Sequence, residues 1–571
     1  MDFSTIIKVA RGEKQADLLF KNARIINVFS GEIVSDNIAV AGGYIAGFGN
    51  YSAKKVVDIG GCFVAPGFID AHVHIESAMT CITEFARAVL PCGTTTVVAD
   101  PHEIANVLGT TGIEYMLQSA KHQPINIYFT LSSCVPATDM ETSGAKLGAD
   151  DLFPFMNNER IVALAEMMDY PGVIHGNPEV LKKIELAKEY GKPVDGHAPE
   201  LSGKDLYAYI AAGVESDHEC TTAQEAKEKL MAGMHIMIRE GTIAKNLSQL
   251  LPVVNERTSR RMMWCTDDRH PNDILKQGDI DSIVRESIRS GLDPVLAVQM
   301  ATINSADYFG IKEVGAIAPG RLADMIVLSD LAGLDIKQVY CRGVLTAENG
   351  EILPGIEKPA QIPVLPSMNV DIKKLDFSIP ADGQKIRIID IVPGRLITHQ
   401  RIENASVVSD FAVSDTSRDL LKIAVVERHK GSGNIGKGFA RGFGLKYGAV
   451  ASSVAHDSHN IIVVGTNDED MKEAVKTVVK MGGGLCVACA HKTSLGLPLP
   501  IAGLMSHEPV KKVRDQLNSL IGMARELGAK LKDPFMALSF LALPVIPELK
   551  ITDKGLVDVV KFQIVPLFVK E

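Results

Sequence analysis

The sequence predicts an α/β protein whose centre is a TIM-like (β/α)8 barrel. Between residues 66 and 314, short apolar runs alternate with stretches of helical periodicity, and β-rich segments lie on both sides of this region. Eight strand-and-helix units over about 250 residues are typical of such a barrel, which keeps its functional side chains at the carboxyl ends of its strands. The predicted strands are residues 67–73, 94–100, 125–131, 161–167, 192–198, 213–219, 234–240 and 261–267.

The two β-rich segments share one pattern. Residues 17–65 show alternation of apolar and polar residues, turn signals such as SGE and AGG, and no helical period. The same pattern returns over residues 315–352. We therefore predict one small β-sandwich domain, made of residues 1–65 and 315–365, beside a barrel that covers residues 66–314.

Helical periodicity separates several of the predicted barrel strands. The segments NPEVLKKIELAKEYG and TAQEAKEKLMAG carry it, and Gly233 is placed to end the second helix. This alternation of strand and helix supports the barrel prediction.

The last third of the chain predicts an additional C-terminal α+β domain. Residues 354–383 are rich in proline, which is typical of a linker. Beyond them, KIRIIDIV and LKIAVVERH have the composition of strands, and EDMKEAVKTVVKMGG has that of a helix ended by glycine. We therefore predict a third domain over residues 384–571 that folds independently of the barrel.

Composition argues against several classes of protein. Of the 571 residues, 46% are hydrophobic and 22% are charged, which is typical of an ordered globular protein. The net charge of −10 is spread along the chain without a tract rich in Lys and Arg, so we expect no nucleic-acid partner. No uncharged apolar run reaches the roughly 18 residues of a membrane span, and the N-terminus lacks the apolar core of a signal peptide. We therefore expect a cytoplasmic protein without a membrane partner.

The cysteines do not indicate a disulfide framework. There are nine of them, an odd number scattered over a long chain, so we expect reduced thiols. Cys486 and Cys489 form a C-x-x-C motif, but no second pair completes a tetrahedral zinc site.

Two histidines, His72 and His74, end the first predicted barrel strand in the segment PGFIDAHVHIES. Residues i and i+2 of a strand face the same side, so the two imidazoles project together at the carboxyl end. Imidazole is a common metal ligand, but such a pair also occurs in polar packing. The pair alone leaves both interpretations open.

Residues of ligand type at the ends of four later strands favour a metal site. They are Glu166, His197, His218 and Asp267. The alternative is that these residues are capping and surface groups, but that requires every one of them to fall at a strand end by chance. Together with the histidine pair they suffice for two divalent cations that share a hydroxide.

Motifs along the whole chain resemble those of the adenine deaminases, a family of the amidohydrolase superfamily. They are PGFIDAHVHIES, VVADPHEIANV, DGHAPEL, ESDHE, CTDDRHP and GAIAPGRLADMIVL, followed by AHDSHNI and SLGLPLPIAGLMS in the C-terminal extension. The H-x-H pair alone would indicate only the superfamily. Glu166 makes the resemblance more specific, because hydantoinases and dihydroorotases have a carboxylated lysine on that strand.

The resemblance implies two divalent metal ions per chain. His72, His74 and Asp267 would bind one metal, His197 and His218 would bind the second, and Glu166 would bridge the two. We expect manganese, with iron or zinc as alternatives that ligand type does not separate.

The resemblance also implies hydrolytic deamination of adenine to hypoxanthine and ammonia, a reaction of purine metabolism. A hydroxide shared by the metals would attack C6 of adenine, and Asp267 would carry its proton to the departing amine. Glu200, three residues after His197, resembles the H-x-x-E glutamate that protonates the ring nitrogen in purine and pyrimidine deaminases. Glu219, next to His218, is the alternative acid.

Further polar residues at strand ends are candidates for substrate contacts. They are Asp100, His102, Ser132, Ser133, Glu219 and Arg239. Asp100 and His102 are also candidates for residues that orient the metal ligands instead of contacting substrate. Asp100 is equally well explained as a helix cap. We expect adenine as the small-molecule substrate and a homo-oligomer, a dimer or larger. Two other functions stay open: another deaminase or cyclic amide hydrolase of the superfamily, and a non-catalytic assembly protein on the same scaffold.

Overall fold

The computed structural model describes residues 2–354, 362–489 and 492–569. A helix, α1 (Phe3–Ala10), precedes the first strand, and Asp2 caps it by accepting a hydrogen bond from the Thr5 amide. Within the described residues, no helix combines the length and the apolar composition that crossing a bilayer requires.

Five strands follow α1 and begin a flanking sheet. They are β1 (Ala16–Asn27), β2 (Glu32–Ala41), β3 (Tyr44–Phe48), β4 (Ala53–Asp58) and β5 (Phe63–Pro66). Strand β1 pairs antiparallel with β2 and parallel with β4 and β5. Leu18 and Phe20 enter one hydrophobic cluster and Leu19 enters another, because successive side chains of a strand point to opposite faces.

Eight parallel strands come next, at the eight positions that the sequence predicts. They are β6 (Phe68–Val73), β7 (Thr94–Ala99), β8 (Asn126–Leu131), β9 (Ile161–Met167), β10 (Val194–Gly196), β11 (Ser216–Asp217), β12 (His235–Arg239) and β13 (Met262–Cys265). Strands β6 to β10 form one sheet and β11 to β13 another. The Glu215 amide donates to the Val194 carbonyl at 2.9 Å and joins the sheets at one edge. The Asp267 amide donates to the His72 carbonyl at 2.9 Å and joins them at the other. The predicted TIM-like domain is confirmed.

Several barrel strands end earlier than their apolar runs predict. Strand β10 ends one residue before His197, and β11 ends one residue before His218. Strand β13 ends two residues before Asp267, whose φ of +55° is left-handed and cannot continue a strand. The residues of ligand type therefore lie on the rim just beyond the strands.

Helices connect the barrel strands. They are α2 (Ile82–Val89), α3 (His102–Leu108), α4 (Thr110–Ser119), α5 (Ala149–Leu152), α6 (Tyr170–Ile174), α7 (Pro178–Glu189), α8 (Gly203–Ala212), α9 (Ala223–Met231), α10 (Leu247–Leu250), α11 (Pro271–Gln277), α12 (Ile280–Arg289), α13 (Pro294–Met300) and α14 (Ile303–Tyr308). Short 3₁₀ helices lie at Ile75–Ala78, Leu90–Cys92, Phe153–Phe155, Leu251–Val253 and Ser259–Arg261. Asn177 and Thr222 cap α7 and α9, the two helices that the sequence predicts here, by accepting hydrogen bonds from the Glu179 and Glu225 amides.

The chain then returns to the flanking sheet with four strands. They are β14 (Met325–Leu328), β15 (Ile336–Cys341), β16 (Val344–Glu348) and β17 (Glu351–Ile352). Strand β14 pairs antiparallel with β5, with Met325 opposite Pro66. The two β-rich segments of the sequence thus form one nine-stranded sheet.

The described part of the C-terminal region contains a second nine-stranded sheet, a three-stranded sheet, a two-stranded sheet and three helices. Its strands are β18 (Lys385–Ile391), β19 (Thr398–Asn404), β20 (Val407–Val408), β21 (Phe411–Ala412), β22 (Leu421–Val426), β23 (Ile435–Arg441), β24 (Ala449–Ser452), β25 (Ile461–Gly465), β26 (Gly484–Cys489), β27 (Lys492–Pro498), β28 (Leu549–Thr552), β29 (Gly555–Asp558), β30 (Gln563–Val565) and β31 (Phe568–Val569). Its helices are α15 (Asp468–Lys480), α16 (Val510–Glu526) and α17 (Pro534–Phe540). The sequence predicts β18, β22 and α15.

The predicted linker is only partly described. Residues 355–361, which include the junction with the predicted β domain, lie outside the described residues. Residues 362–383 form no regular helix or strand. However, Phe377 is fully buried and belongs to the same cluster as Met471 and Cys486 of the C-terminal region. This segment therefore packs into a core, which a spacer does not do.

The barrel and the C-terminal region share a hydrophobic core. One cluster includes Phe129 and Trp264 of the barrel together with Leu504 and Leu538 of the C-terminal region. The backbones also meet, since the Cys81 amide donates to the carbonyl of Ser506, a C-terminal residue, at 2.8 Å. This shared core argues against the expectation that the C-terminal region folds independently.

Candidate metal and active site

His72 and His74 lie together at the end of β6. Their Nε2 atoms are 3.1 Å apart, and both side chains are at most 3% exposed. Nδ1 of His74 lies 3.1 Å from the carbonyl of Asp100, an acceptor, so this nitrogen carries the proton. In the neutral ring Nε2 of His74 then has the lone pair, which is the arrangement found when a second contact orients a metal-binding histidine.

Glu166, at the end of β9, lies between two pairs of histidines. Its Oε1 atom is 3.3 Å from Nε2 of His74. Its Oε2 atom is 2.6 Å from Nδ1 of His197 and 3.2 Å from Nε2 of His218. Because each carboxylate oxygen faces a different group of imidazoles, the side chain has the geometry of a bridging ligand.

Asp267 completes the cluster on the side of His74. Its Oδ1 atom lies 3.1 Å from Nε2 of His74 and 3.6 Å from Nε2 of His72. Its Oδ2 atom accepts a hydrogen bond of 2.6 Å from Nη1 of Arg239. The two oxygens of Asp267 therefore have separate partners, one among the imidazoles and one on the guanidinium.

The chemistry of this donor set fits divalent cations. Ligand atoms of His72, His218 and Asp267 lie within 4.8 Å of one another, and so do those of Glu166, His197 and His218. Burial alone would raise the pKa of Glu166, but neighbouring imidazoles, that of His197 foremost, hold this pKa well below its ordinary value. Burial opposes ionisation of Asp267 in the same way, and Arg239 holds the pKa of Asp267 well below its ordinary value. Ionised carboxylates among buried imidazoles form a site that metal ions complete.

Four predicted substrate residues lie next to this cluster. The Ser132 hydroxyl donates to Asp100 at 3.3 Å, and Asp100 contacts Nδ1 of His102 at 3.2 Å. The same nitrogen of His102 is 3.5 Å from Oε1 of Glu166. The Ser133 hydroxyl donates to the carbonyl of Glu166 at 2.6 Å. The ends of β7, β8 and β9 therefore form one connected polar wall.

The structure does not bring Glu200 to the cluster. Glu200 is exposed, with a φ of +61° in a turn, and its amide donates to Glu225. The prediction for Glu200 relied on the H-x-x-E spacing from His197, but the residues after His197 form a turn, so the spacing does not return the side chain to the site. The alternative acid, Glu219, is buried, and its Oε1 lies 3.5 Å from Nε2 of His218.

Sequence reasoning missed a contribution from the C-terminal region. Nδ1 of His456 lies 3.0 Å from Oε1 of Glu103, next to the predicted residue His102. Nε2 of His102 lies 3.8 Å from Oδ1 of Asp457. The motifs PHE and AHDSHN were visible signals, but nothing in their positions along the chain, more than 350 residues apart, indicates that they meet.

Glu103, His456 and His459 form another group of ligand-type atoms within 4.8 Å of one another. The Ala455 amide donates to Nδ1 of His459 at 3.1 Å, so this nitrogen is the unprotonated one. In the neutral ring the proton is then on Nε2, which faces Glu103 at 4.0 Å. A protonated nitrogen does not ligate a metal, so in this tautomer His459 does not complete a metal site with Glu103 and His456.

Two family models match the chain. Residues 63–346 match the amidohydrolase family, and residues 395–563 match the adenine deaminase C-terminal domain. Among solved structures, the dihydropyrimidinase from Brevibacillus agri NCHU1002 is similar with a TM-score of 0.48 and 16% identity, over 59% of this chain and 96% of that one.

Relatives match the chain from end to end. The adenine deaminase of Desulfatibacillum aliphaticivorans is 56% identical over 563 residues, which cover 99% of each chain. The adenine deaminase of Methanothrix thermoacetophila is 49% identical over 572 residues, which cover 100% of each chain. The chain therefore belongs to the adenine deaminase family of amidohydrolases.

Proposed function

We propose that this protein hydrolyses adenine to hypoxanthine and ammonia, as part of purine metabolism. The observation that carries the proposal is the convergence of His72, His74, His197 and His218 on Glu166, in a chain whose full-length relatives are named adenine deaminase. Neither the ligand cluster nor the relatives alone would specify both a metal-dependent hydrolase and its substrate.

The six clustered side chains would hold two divalent metal ions. His72, His74 and Asp267 face one side of Glu166 and His197 and His218 face the other. Manganese is our first choice, with iron or zinc as alternatives, because mixed imidazole and carboxylate ligation suits all three. When bound, such a pair supplies hydroxide at neutral pH by lowering the pKa of water.

We assign Asp267 as the base that takes the proton from the attacking hydroxide and transfers it to the leaving amine. A base must be ionised, and Arg239 keeps the pKa of Asp267 well below its ordinary value although burial opposes this. Arg239 occupies Oδ2 of Asp267, which leaves Oδ1 on the side of the histidines. From there Asp267 would take a proton and give it to the departing amine nitrogen.

Glu219 replaces Glu200 as our choice for the group that serves the ring nitrogen N1 of adenine. Charge accumulates on N1 as C6 is attacked, so a proton delivered there lowers the barrier. Burial opposes ionisation of Glu219, but Arg239 holds the pKa of Glu219 below its ordinary value, so this carboxylate would first take the proton that the attacking water loses and then give it to N1. Glu219 is held by Arg239, whose Nη2 donates to Oε2 at 3.0 Å, and its Oε1 faces His197 at 3.6 Å. It thus lies beside the cluster, whereas Glu200 is exposed.

We also propose the division of the chain into residues 1–65 with 315–365, residues 66–314, and residues 384–571. The nine-stranded flanking sheet supports the first of these units. Phe20 and Ile38 of the first β-rich segment share a hydrophobic cluster with Met325 and Tyr340 of the second. This shared cluster supports the proposed sandwich, in which the two segments pack their apolar side chains together. The expected homo-oligomer is kept as a proposal, to be measured by light scattering.

The proposed activity is tested by giving adenine to the manganese-loaded protein and measuring ammonia and hypoxanthine. Equimolar formation of both is expected. Hydantoin and dihydroorotate should stay intact, because a saturated cyclic amide lacks the aromatic nitrogen that Glu219 serves. Opening of hydantoin without turnover of adenine would contradict the proposal and support a cyclic amide hydrolase.

A further inference from the structure

A loop of the C-terminal region brings a run of buried polar side chains to the candidate site. Residues 453–460 connect β24 to β25, and residues 456–460 are all polar and at most 4% exposed. Buried polar groups are normally satisfied by hydrogen bonds, so a continuous run of them needs partners.

Two of these residues contact the barrel, and a third is held within the C-terminal region. His456 contacts Glu103 at 3.0 Å, and Nδ2 of Asn460 donates to the carbonyl of Thr142 at 2.7 Å. The fully buried Arg428 donates to the carbonyls of His459 and Ala502. The loop is therefore held in place by contacts that do not involve Asp457.

Within the described part of the chain, one oxygen of Asp457 has no hydrogen-bond partner, which is also true of the Ser458 hydroxyl and of Nε2 of His459 beside it. Of these three groups, Asp457 is the carboxylate. The side chain is 3% exposed, and Oδ2 accepts no hydrogen bond from any residue that the structure describes. Oδ1 lies 3.8 Å from Nε2 of His102, which is longer than a hydrogen bond. Leaving a buried acceptor unsatisfied costs about 1–3 kcal/mol, and more for a charged group.

Asp457, which carries this unpartnered oxygen, lies close to the metal-ligand cluster. The His102 ring lies between two carboxylates, with Oε1 of Glu166 3.5 Å from Nδ1 and Oδ1 of Asp457 3.8 Å from Nε2. Asp457 is thus one imidazole away from the carboxylate at the centre of the cluster. A ligand that reacts at the cluster would have to extend along His102 to bring a donor to Asp457.

We propose that Asp457 binds the ring N–H of the imidazole half of a free purine base and thereby selects free bases over N9-substituted purines. This inference rests on the proposed function. An ionised carboxylate only accepts hydrogen bonds, so its ligand must supply an N–H. In adenine the amine at C6 must face the cluster, which leaves the N–H of the five-membered ring as the donor at the far end. A nucleoside has a sugar at N9 and presents no such donor.

The test compares two ligands that differ at one atom. Hypoxanthine and 9-methylhypoxanthine share every group of the six-membered ring, but only the first has an N–H in the five-membered ring. We expect the wild-type protein, loaded with metal, to bind hypoxanthine at least tenfold more tightly in calorimetry. In Asp457→Asn this preference should fall roughly tenfold or more, which is the value of a hydrogen bond to a charged group. The kcat/KM for adenine should fall by a similar factor.

Asp553→Asn is the matched control. Asp553 is buried at the same interface, but it bonds to the amide and hydroxyl of Thr142 at 2.8 and 2.7 Å and does not face His102. This variant should keep the wild-type preference between the two ligands. The metal content of both variants should match the wild type, and cooperative thermal unfolding should show that both are folded.

Three results would overturn the inference about Asp457. The first is equal binding of both ligands by the wild type, which needs no variant. The second is an unchanged preference in Asp457→Asn, as expected if a buried water satisfies Oδ2. The third is loss of metal from Asp457→Asn. Each result leaves the proposed function standing as long as the wild type releases ammonia from adenine. Absence of that release contradicts the proposed function itself.

Discussion

Arg239 donates a hydrogen bond of 2.6 Å to Asp267 and holds Glu219 with the same guanidinium, where Nη2 lies 3.0 Å from Oε2. All three side chains are buried. One residue at the end of β12 therefore fixes two carboxylates beside the histidine cluster. The planar fork of arginine suits this double contact, and a lysine offers only a point charge.

Arg239→Lys should therefore lower kcat for adenine roughly tenfold or more, because one ammonium group cannot hold both carboxylates in place. Steady-state kinetics on protein with measured metal content would check this. Arg285→Lys is a matched control, since Arg285 pairs with Asp281 on α12, away from the cluster. A wild-type kcat in Arg239→Lys would show that the double contact is not needed.

The second prediction separates the two candidate acids. Glu219→Gln should lower turnover of adenine by roughly 10² to 10⁴, the range for one positioned acid or base. Glu200→Gln serves as the control and should stay within about twofold of the wild type, because surface side chains without partners contribute little. If Glu200→Gln loses activity and Glu219→Gln keeps it, the spacing argument from the sequence was right and the assignment from burial is wrong.

The third prediction concerns metal binding by one histidine. His74→Ala should hold fewer than two metal ions per chain, because Nε2 of His74 faces both Glu166 and Asp267. His235→Ala is the control, since His235 begins β12 and Arg239 ends it, so the two lie at opposite ends of the barrel. Elemental analysis of both variants would decide. Full metal content in His74→Ala would remove His74 from the site.

A fourth prediction concerns pH and a lysine remote from the site. Lys550 is fully buried and donates to the carbonyls of Leu396 and Phe540, and burial lowers its pKa from 10.5 to about 7. At a pH between the folded and the unfolded pKa of Lys550, the unfolded chain binds more protons than the folded one. This lysine therefore makes the free energy of unfolding rise with pH. Lys550→Met removes that contribution.

The difference in unfolding free energy between wild type and Lys550→Met should thus shift in favour of the wild type from pH 7 to pH 10, by up to about 1.4 kcal/mol per pH unit. Urea unfolding at several pH values measures it. Lys561→Met, which changes an exposed lysine paired with Asp558, should show the wild-type pH dependence. Parallel curves for all three proteins would mean that Lys550 is charged in the folded state.

The fifth prediction concerns the C-terminal region. A chain that ends at residue 354 should lose cooperative folding, because it exposes the barrel side of a core shared with Leu504 and Leu538. Thermal unfolding and near-ultraviolet circular dichroism would show this. A cooperatively folded truncated chain would instead support the independent domain that the proline-rich segment predicts.

The sequence was informative wherever local pattern determines structure. All eight barrel strands lie where apolar runs end in polar residues, since strand period and burial act over a few neighbouring residues. The same pattern placed His72, His74 and Glu166 at the rim. Caps such as Asn177 and Thr222 likewise mark the starts of their helices from local side chains alone.

The sequence is less informative where structure depends on a turn or on distant contacts. Glu200 lies three residues after His197, but a left-handed residue within a turn sets its direction, and spacing does not reveal this. Asp457 comes within 3.8 Å of His102 only because the C-terminal region packs against the barrel. The proline-rich segment predicts a spacer, but burial of Phe377 depends on a core formed by residues far along the chain.

The central claim is that the six clustered side chains hold two metal ions that make the protein an adenine deaminase. The most direct measurement is a titration of metal-free protein with manganese, with bound metal and ammonia release from adenine followed together. Activity should rise until two ions are bound per chain and then stay constant. Full activity at one ion per chain, or two bound ions without any ammonia from adenine, would contradict the claim.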